Sequence, residues 1–139
     1  KGRGFSPMKW QIIEGINTIP VCLFEAVAEL DAGPIYYRET LDLEGHELMA
    51  EIHPRLAALT HTLCLRFLNE DRPPQGMPQV GEESRYQRRT LESQRIDPHR
   101  SLAEQFNTLR AVENHRFPAF FDLHGHRYRL KIDKWDDPT

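Results

Sequence analysis

The sequence predicts an α/β fold. Two short apolar runs, at residues 19–25 and 34–38, have strand composition, and an apolar stripe over residues 45–69 has the period of a long helix. The third observation is residues 117–132, where two alternating stretches flank His124-Gly125, a tight-turn pair. With 139 residues, 39% hydrophobic and 28% charged, the chain has the composition of one folded domain with a real core rather than of a disordered segment.

The elements follow in order. Ser6-Pro7 ahead of Met8, Trp10, Ile12 and Ile13, with Gly15 behind them, predicts a short helix. The Ser6 hydroxyl would cap it, Pro7 suits its first position, and Gly15 can take the left-handed stop. Ile19-Pro20-Val21-Cys22-Leu23-Phe24-Glu25 predicts a buried strand and Pro34-Ile35-Tyr36-Tyr37-Arg38 a second. Between them residues 26–33 form a loop carrying Glu29 and Asp31. Leu48, Ile52, Leu56, Leu59, Leu63 and Phe67 give the long helix one apolar face, with Pro54 either kinking it or marking its true start. Residues 71–84, with Pro73, Pro74, Gly76, Pro78 and Gly81, read as an extended connector. Asp97-Pro98 predicts the start of another helix, with Leu102, Phe106 and Leu109 on one face and Asn114 near its stop. In the closing hairpin Ala119, Phe121 and Leu123 alternate on one side, and Tyr128, Leu130 and Ile132 on the other. Two strands before the long helix are too few for a self-standing sheet, so a further portion or a partner is expected to cover the helix.

Charge excludes some classes of function. Residues 1–70 carry 6 basic and 10 acidic side chains, and residues 71–139 carry 12 and 11, for a net charge of −3 overall. That field is too weak for non-specific nucleic-acid binding. No apolar run reaches the roughly 20 residues of a membrane span. Cys22 and Cys64 both stand in apolar stretches, and reduced, buried thiols predict a cytoplasmic protein. The chain opens on Lys1 without a leader pattern, in a stretch that reads as a loop from mid-protein.

Asp31 is the leading candidate for chemistry. In Leu30-Asp31-Ala32-Gly33-Pro34 it sits at a strand end, where a carboxylate can orient a histidine and favour its charged form. The plainer alternative is a turn-forming Asp bonding its own backbone. His61 and Cys64 share a helix face, but no second pair completes a metal site, so His61 reads as surface and Cys64 as core. His124 and His126 read as exposed turn residues. Arg3 between Gly2 and Gly4 is a candidate anion contact. Arg88-Arg89-Thr90 is another, unless these arginines pair with Glu82, Glu83 and Glu92.

A resemblance carries the reading further. Arg3-Gly4-x-x-Pro7-x-x-Trp10-x-Ile12-x-x-Gly15, Val21-x-Leu23-Phe24 and Leu30-Asp31-Ala32-Gly33-Pro34-Ile35 are similar to blocks of the 10-formyltetrahydrofolate-dependent formyltransferases. The similarity continues through Tyr86-x-Arg88-Arg89-Thr90-x-Glu92-x-x-x-Ile96-Asp97 to Leu109-Arg110-Ala111 and Pro118-Ala119-Phe120. The family includes methionyl-tRNA formyltransferases and N-formyltransferases of nucleotide-linked amino sugars. The resemblance implies the C-terminal part of a Rossmann-like formyltransferase domain at residues 1–70, a connector at 71–85, and a small helix-plus-hairpin subdomain at 86–139. It implies a catalytic Asn, His and Asp around a folate cleft, with Asp31 as the Asp. The loop residues Val27, Ala28, Glu29 and Leu30 would cradle the folate donor, 10-formyltetrahydrofolate, through their backbone, and Arg3 and Gly4 would contact substrate. No metal is implied.

The departures shape the expectation. The family's Asn-x-His lies ahead of the Arg-Gly pair, where this chain has only Lys1 and Gly2, and none of the seven histidines stands there. These residues alone are therefore expected to be inactive, with Lys1 marking a cut between catalytic His and catalytic Asp. Cys22 replaces a frequent Thr, and Phe5 an Arg found in some sugar-modifying members. The near-neutral second half favours a small amine acceptor, a nucleotide-linked amino sugar, over tRNA. A non-catalytic dimerisation or interaction fragment, with a homodimer as its assembly, is the alternative of another class.

Overall fold

The structure is a computed structural model and describes residues 2–81 and 84–135. Its elements run β1 (Arg3–Gly4), α1 (Pro7–Ile13), β2 (Thr18–Phe24), β3 (Ile35–Asp42), α2 (Met49–Leu68), β4 (Arg85–Tyr86), a 3₁₀ turn (Leu91–Gln94), α3 (Leu102–Arg110), β5 (Ala119–Leu123) and β6 (His126–Leu130). Among the described residues they make three two-stranded sheets: β1 with β4 in parallel, β2 with β3 antiparallel, and β5 with β6 antiparallel.

The first helix departs from expectation at its start and obeys it at its end. Ser6 sits in the left-handed region at φ 50° and makes no side-chain cap bond. A capping hydroxyl needs extended backbone to reach the N–H groups of the first turn, so here the Ser6 carbonyl serves instead, accepting from Lys9 and Trp10. Gly15, at φ 81°, ends the helix: its N–H bonds the Ile12 carbonyl while Ile16 N–H reaches back to Gln11.

Strand β2 is less buried than its composition suggests. Only Ile19 is fully covered, because β3 is its one pairing partner and Pro20 fits an edge strand. Strand β3 runs to Asp42, four residues beyond the apolar run, since register with β2, after a shift between Leu23 and Phe24, holds from Tyr37 through the charged stretch Arg38-Glu39. Helix α2 starts five residues before Pro54 and continues through it, so Pro54 is not its start. Its Met49 and Ile52 join Ile12, Ile19, Leu41, Leu43 and Ala111 in the main core, with Leu56 and Leu59 packed against them. Further along, Leu65 and Leu68 face outward; His61 is exposed and Cys64 only half-buried.

Asp97-Pro98 makes a turn rather than a helix start, Asp97 Oδ1 accepting from His99 N at 2.9 Å. Ser101 caps α3 four residues later, trading bonds with Glu104 in a capping box. The buried face of α3 therefore carries Gln105, Leu109 and Arg110, and leaves Leu102 outside. Asn114 lies beyond this helix and instead clamps Ile132, both donating to and accepting from its backbone. The hairpin turn has φ 50° at His124 and 77° at Gly125, as a tight two-residue turn requires. Its two apolar sets meet on one face, pairing Ala119 with Leu130 and Phe121 with Tyr128. Ile96, Leu109, Val112 and Ala119 form a second core cluster, so the end of α3 serves both cores.

A buried ion pair ties these parts together. Arg110 and Glu47 are almost fully inaccessible, and their side chains meet at 3.2 Å. Arg110 also donates to the Glu47 carbonyl at 3.1 Å and to Asn17 Oδ1 at 2.9 Å.

Candidate functional site

The short strand β1 and the loop between β2 and β3 approach each other across a cleft of about 470 Å³. Asp31 enters it from the loop. Its backbone is left-handed at φ 57°, a conformation that Asp tolerates better than most residues. Its Oδ2 accepts a hydrogen bond from the backbone N–H of Gly4 at 3.0 Å. The carboxylate is therefore spent on a segment 27 residues away, not on its own turn, which overturns the turn-forming alternative. Its other oxygen, Oδ1, accepts no hydrogen bond among the described residues.

Two glycines make the approach possible. A side chain on Gly4 would place its Cβ 2.3 Å from the Tyr86 carbonyl oxygen, and Gly4 has φ 100°. Gly33, two residues after Asp31, lets the Glu25 carbonyl come within 1.8 Å of where a Cβ would stand. The loop is thus pinched shut at its base and its tip is fixed against β1.

A third segment locks the pair. Gln79, in the connector, donates from Nε2 to the carbonyls of Asp31 at 2.8 Å and Gly33 at 2.7 Å. Its Oε1 accepts from Arg3 Nε at 3.2 Å and from the Arg3 terminal nitrogen at 2.9 Å. One amide thereby joins Arg3 to the Asp31 loop, and both of its ends are satisfied. Nothing in the sequence marks Gln79, because its neighbours are the Gly and Pro of an extended connector. Met77 helps hold that connector, bonding Ile35 backbone in both directions at 2.8 Å.

Asp31, Arg3 and Gly4 all line this cleft. Val27, Ala28, Glu29 and Leu30 do not line it; they form the exposed outer part of the same loop, Leu30 being 77% accessible. Cys22 and Arg38 also face the cleft, and no histidine does among the described residues. Among those residues no group of three His, Cys, Asp or Glu is placed to hold a metal ion, and no helix is long and apolar enough to cross a membrane.

The cationic pairings also differ from expectation. Glu92 bonds Arg95 at 2.7 Å, and Arg89 donates to Ser93 Oγ at 3.1 Å and to the Ala111 carbonyl at 3.0 Å. The pairing with Glu82 and Glu83 lies outside the described residues.

No family model matches the chain. A methionyl-tRNA formyltransferase of Sulfurihydrogenibium sp. is 31% identical to it over 114 residues, covering 80% of this chain and 37% of that protein. The chain thus spans well under half the length of this relative. A sugar N-formyltransferase from Shewanella sp. shares the fold with a TM-score of 0.69 at 16% identity, over 99% of this chain and 58% of that one. HypX from Aquifex aeolicus, solved in complex with tetrahydrofolic acid, matches at a TM-score of 0.69 and 20% identity, over 94% of this chain and 23% of its own length. The collinear blocks around Gly4 and Asp31, the sequence relative and the shared α/β architecture agree, and the chain belongs to the formyltransferase family.

Proposed function

We propose that this chain carries the aspartate side of a formyl-transfer site, which moves a formyl group from 10-formyltetrahydrofolate to the amine of a nucleotide-linked amino sugar. The observation that carries the reading is the carboxylate of Asp31, fixed by Gly4 N–H through Oδ2 at the wall of the cleft, with Oδ1 accepting no hydrogen bond among the described residues. A carboxylate held this way accepts a hydrogen bond from an imidazole, sets its orientation and favours its protonated form. That is the help an attacking amine needs as it sheds a proton while bonding to the formyl carbon. Val27, Ala28, Glu29 and Leu30 would hold the donor through backbone groups, and Arg3 and Gly4 would border the acceptor. In this reading Asp31 acts with an Asn and a His, and no histidine among the described residues lines its cleft.

The likeness to a sugar N-formyltransferase and the net charge of −3 support a small acceptor. Methionyl-tRNA is the second reading, favoured by the name of the 31%-identical relative. The test offers 10-formyltetrahydrofolate with nucleotide-linked amino sugars and with methionyl-tRNA to a protein containing these residues and the upstream Asn-x-His. Mass spectrometry of the products then shows which amine gains the formyl group. A formylated sugar upholds the reading; formylation of methionyl-tRNA alone replaces it with the second.

A further inference from the structure

The Asp31 loop is gripped at its turn by a side chain from far along the sequence. Gln79 Nε2 donates to the Asp31 carbonyl at 2.8 Å and to the Gly33 carbonyl at 2.7 Å, while Oε1 accepts two N–H groups of Arg3. Donating at one end and accepting at the other is what a side-chain amide does. A carboxylate cannot donate, an ammonium cannot accept, and an aliphatic chain does neither.

That grip bears on the direction of the Asp31 carboxylate. Asp31 has φ 57°, a left-handed conformation that is costly for a residue with a Cβ and persists where the surroundings over-determine it. Gly4 N–H holds Oδ2 at 3.0 Å from one side. From the other side the Gln79 amide holds the backbone carbonyls of Asp31 and Gly33. The carboxylate is therefore aimed by two segments, 27 and 48 residues away. Groups that orient a proton acceptor tolerate little misplacement.

The connector does not depend on this side chain for its own place. Met77 exchanges two backbone bonds with Ile35, each of 2.8 Å, and Gly76 lies so close to Pro34 that an added Cβ would stand 2.8 Å from the proline Cβ. Replacing the Gln79 amide thus frees the loop and Arg3 while the connector stays docked. Residues 27–30, on the outer part of the loop, receive none of the Gln79 bonds. Besides Asp31, the ionisable groups on the cleft wall among the described residues are Arg3 on β1, Cys22 on β2 and Arg38 on β3.

We infer that Gln79 is a positioning residue for formyl transfer, aiming the Asp31 carboxylate through the loop carbonyls rather than acting on the reacting atoms. The inference rests on the formyl-transfer reading above. The experiment compares wild type, Gln79→Leu and Gln79→Glu in the formyl-transferring protein that contains these residues. It measures kcat, KM, the pH profile of kcat and the melting temperature, with 10-formyltetrahydrofolate and the amine that product analysis identifies. Gln79→Glu keeps the shape and the acceptor for Arg3 but loses the donor, so it isolates the bonds to Asp31 and Gly33. Both variants are expected to melt close to wild type. In both, kcat should fall about tenfold or more, while KM for 10-formyltetrahydrofolate stays within about twofold. In Gln79→Leu the acid limb of the profile should move about one unit lower, because an imidazole that has lost its aimed carboxylate is less readily protonated. Wild-type kcat in either variant would overturn the inference. So would a lower kcat with the acid limb unmoved, or one that only follows a lower melting temperature, since each marks a merely structural brace. No transfer by the wild type would remove the formyl-transfer reading and this inference together. Wild-type transfer with unaltered variants would remove this inference alone.

Discussion

The backbone N–H of Gly4 donates to Oδ2 of Asp31 at 3.0 Å, so a strand of two residues is held against a loop 27 residues away by a charge-assisted bond. The bond uses one carboxylate oxygen and leaves the other, so in the proposed reading the structural and chemical roles of Asp31 are separable. An amide in the same place preserves the first role and abolishes the second.

Asp31→Asn is therefore expected to keep the fold and lose the chemistry. Asparagine offers an oxygen to Gly4 N–H and tolerates the left-handed backbone at φ 57°. Thermal melting should match wild type, while turnover in any form of the protein that transfers formyl groups should fall by about 10²-fold or more. A variant with near-normal turnover would remove Asp31 from the catalytic assignment.

Gly4→Ala tests the close approach itself. The new Cβ would meet the Tyr86 carbonyl oxygen at 2.3 Å, with φ at 100°, a region that only glycine occupies without strain. The parallel pairing of Arg3 with Arg85 and Gly4 with Tyr86 has to open, costing about 1–3 kcal/mol. Urea denaturation gives the figure, and a midpoint equal to wild type would show that β1 does not need its glycine.

Gln79→Leu removes the amide that joins Arg3 to the Asp31 loop. Two loop carbonyls lose a donor, and the Arg3 guanidinium loses an acceptor. The loop should open more often without global unfolding, so hydrogen exchange at the Gly4 amide should speed up while that of α2 stays unchanged. Unaltered exchange at Gly4 would mean that Gln79 does not brace the site.

How much of this was legible follows from the range of the forces. Apolar period located α2 and the hairpin because burial of a face is written at fixed spacing, as in Ile52, Leu56, Leu59 and Leu63. The end of α1 was readable for a like reason, Gly15 acting within one turn. The α3 start was misplaced because Asp97-Pro98 and Ser101 both carry capping chemistry, and only Ser101 has Glu104 three residues on. Asp31 could be singled out from its block, whereas Gln79 could not, since its partners lie 46, 48 and 76 residues away. A cavity of about 670 Å³ draws its cations from four separate stretches, Lys9, Arg88-Arg89, Arg116 and Arg127 with Arg129, so Arg88-Arg89 alone gave no hint of the others.

The Glu47–Arg110 pair sets the response to acid. Burial pushes the Glu47 carboxyl upward, but N–H donors from Glu44 at 2.8 Å and Gly45 at 3.0 Å, with the Arg55 guanidinium, outweigh it and hold the group at about 2 against an ordinary 4.5. A carboxyl depressed in the folded state binds its proton more readily when unfolded, so its contribution is complete above the unfolded value of 4.5 and is lost as pH falls toward 2. The depression is worth about 3 kcal/mol over that window. Glu47→Gln should flatten the stability curve between pH 4.5 and 2 and should destabilise at neutral pH by about 3–5 kcal/mol, because Arg110 is left charged and inaccessible. The double variant Glu47→Leu/Arg110→Met removes both charges and should recover part of that loss. Urea denaturation at several pH values decides the matter. Equal pH slopes for wild type and Glu47→Gln would show that another group governs acid unfolding.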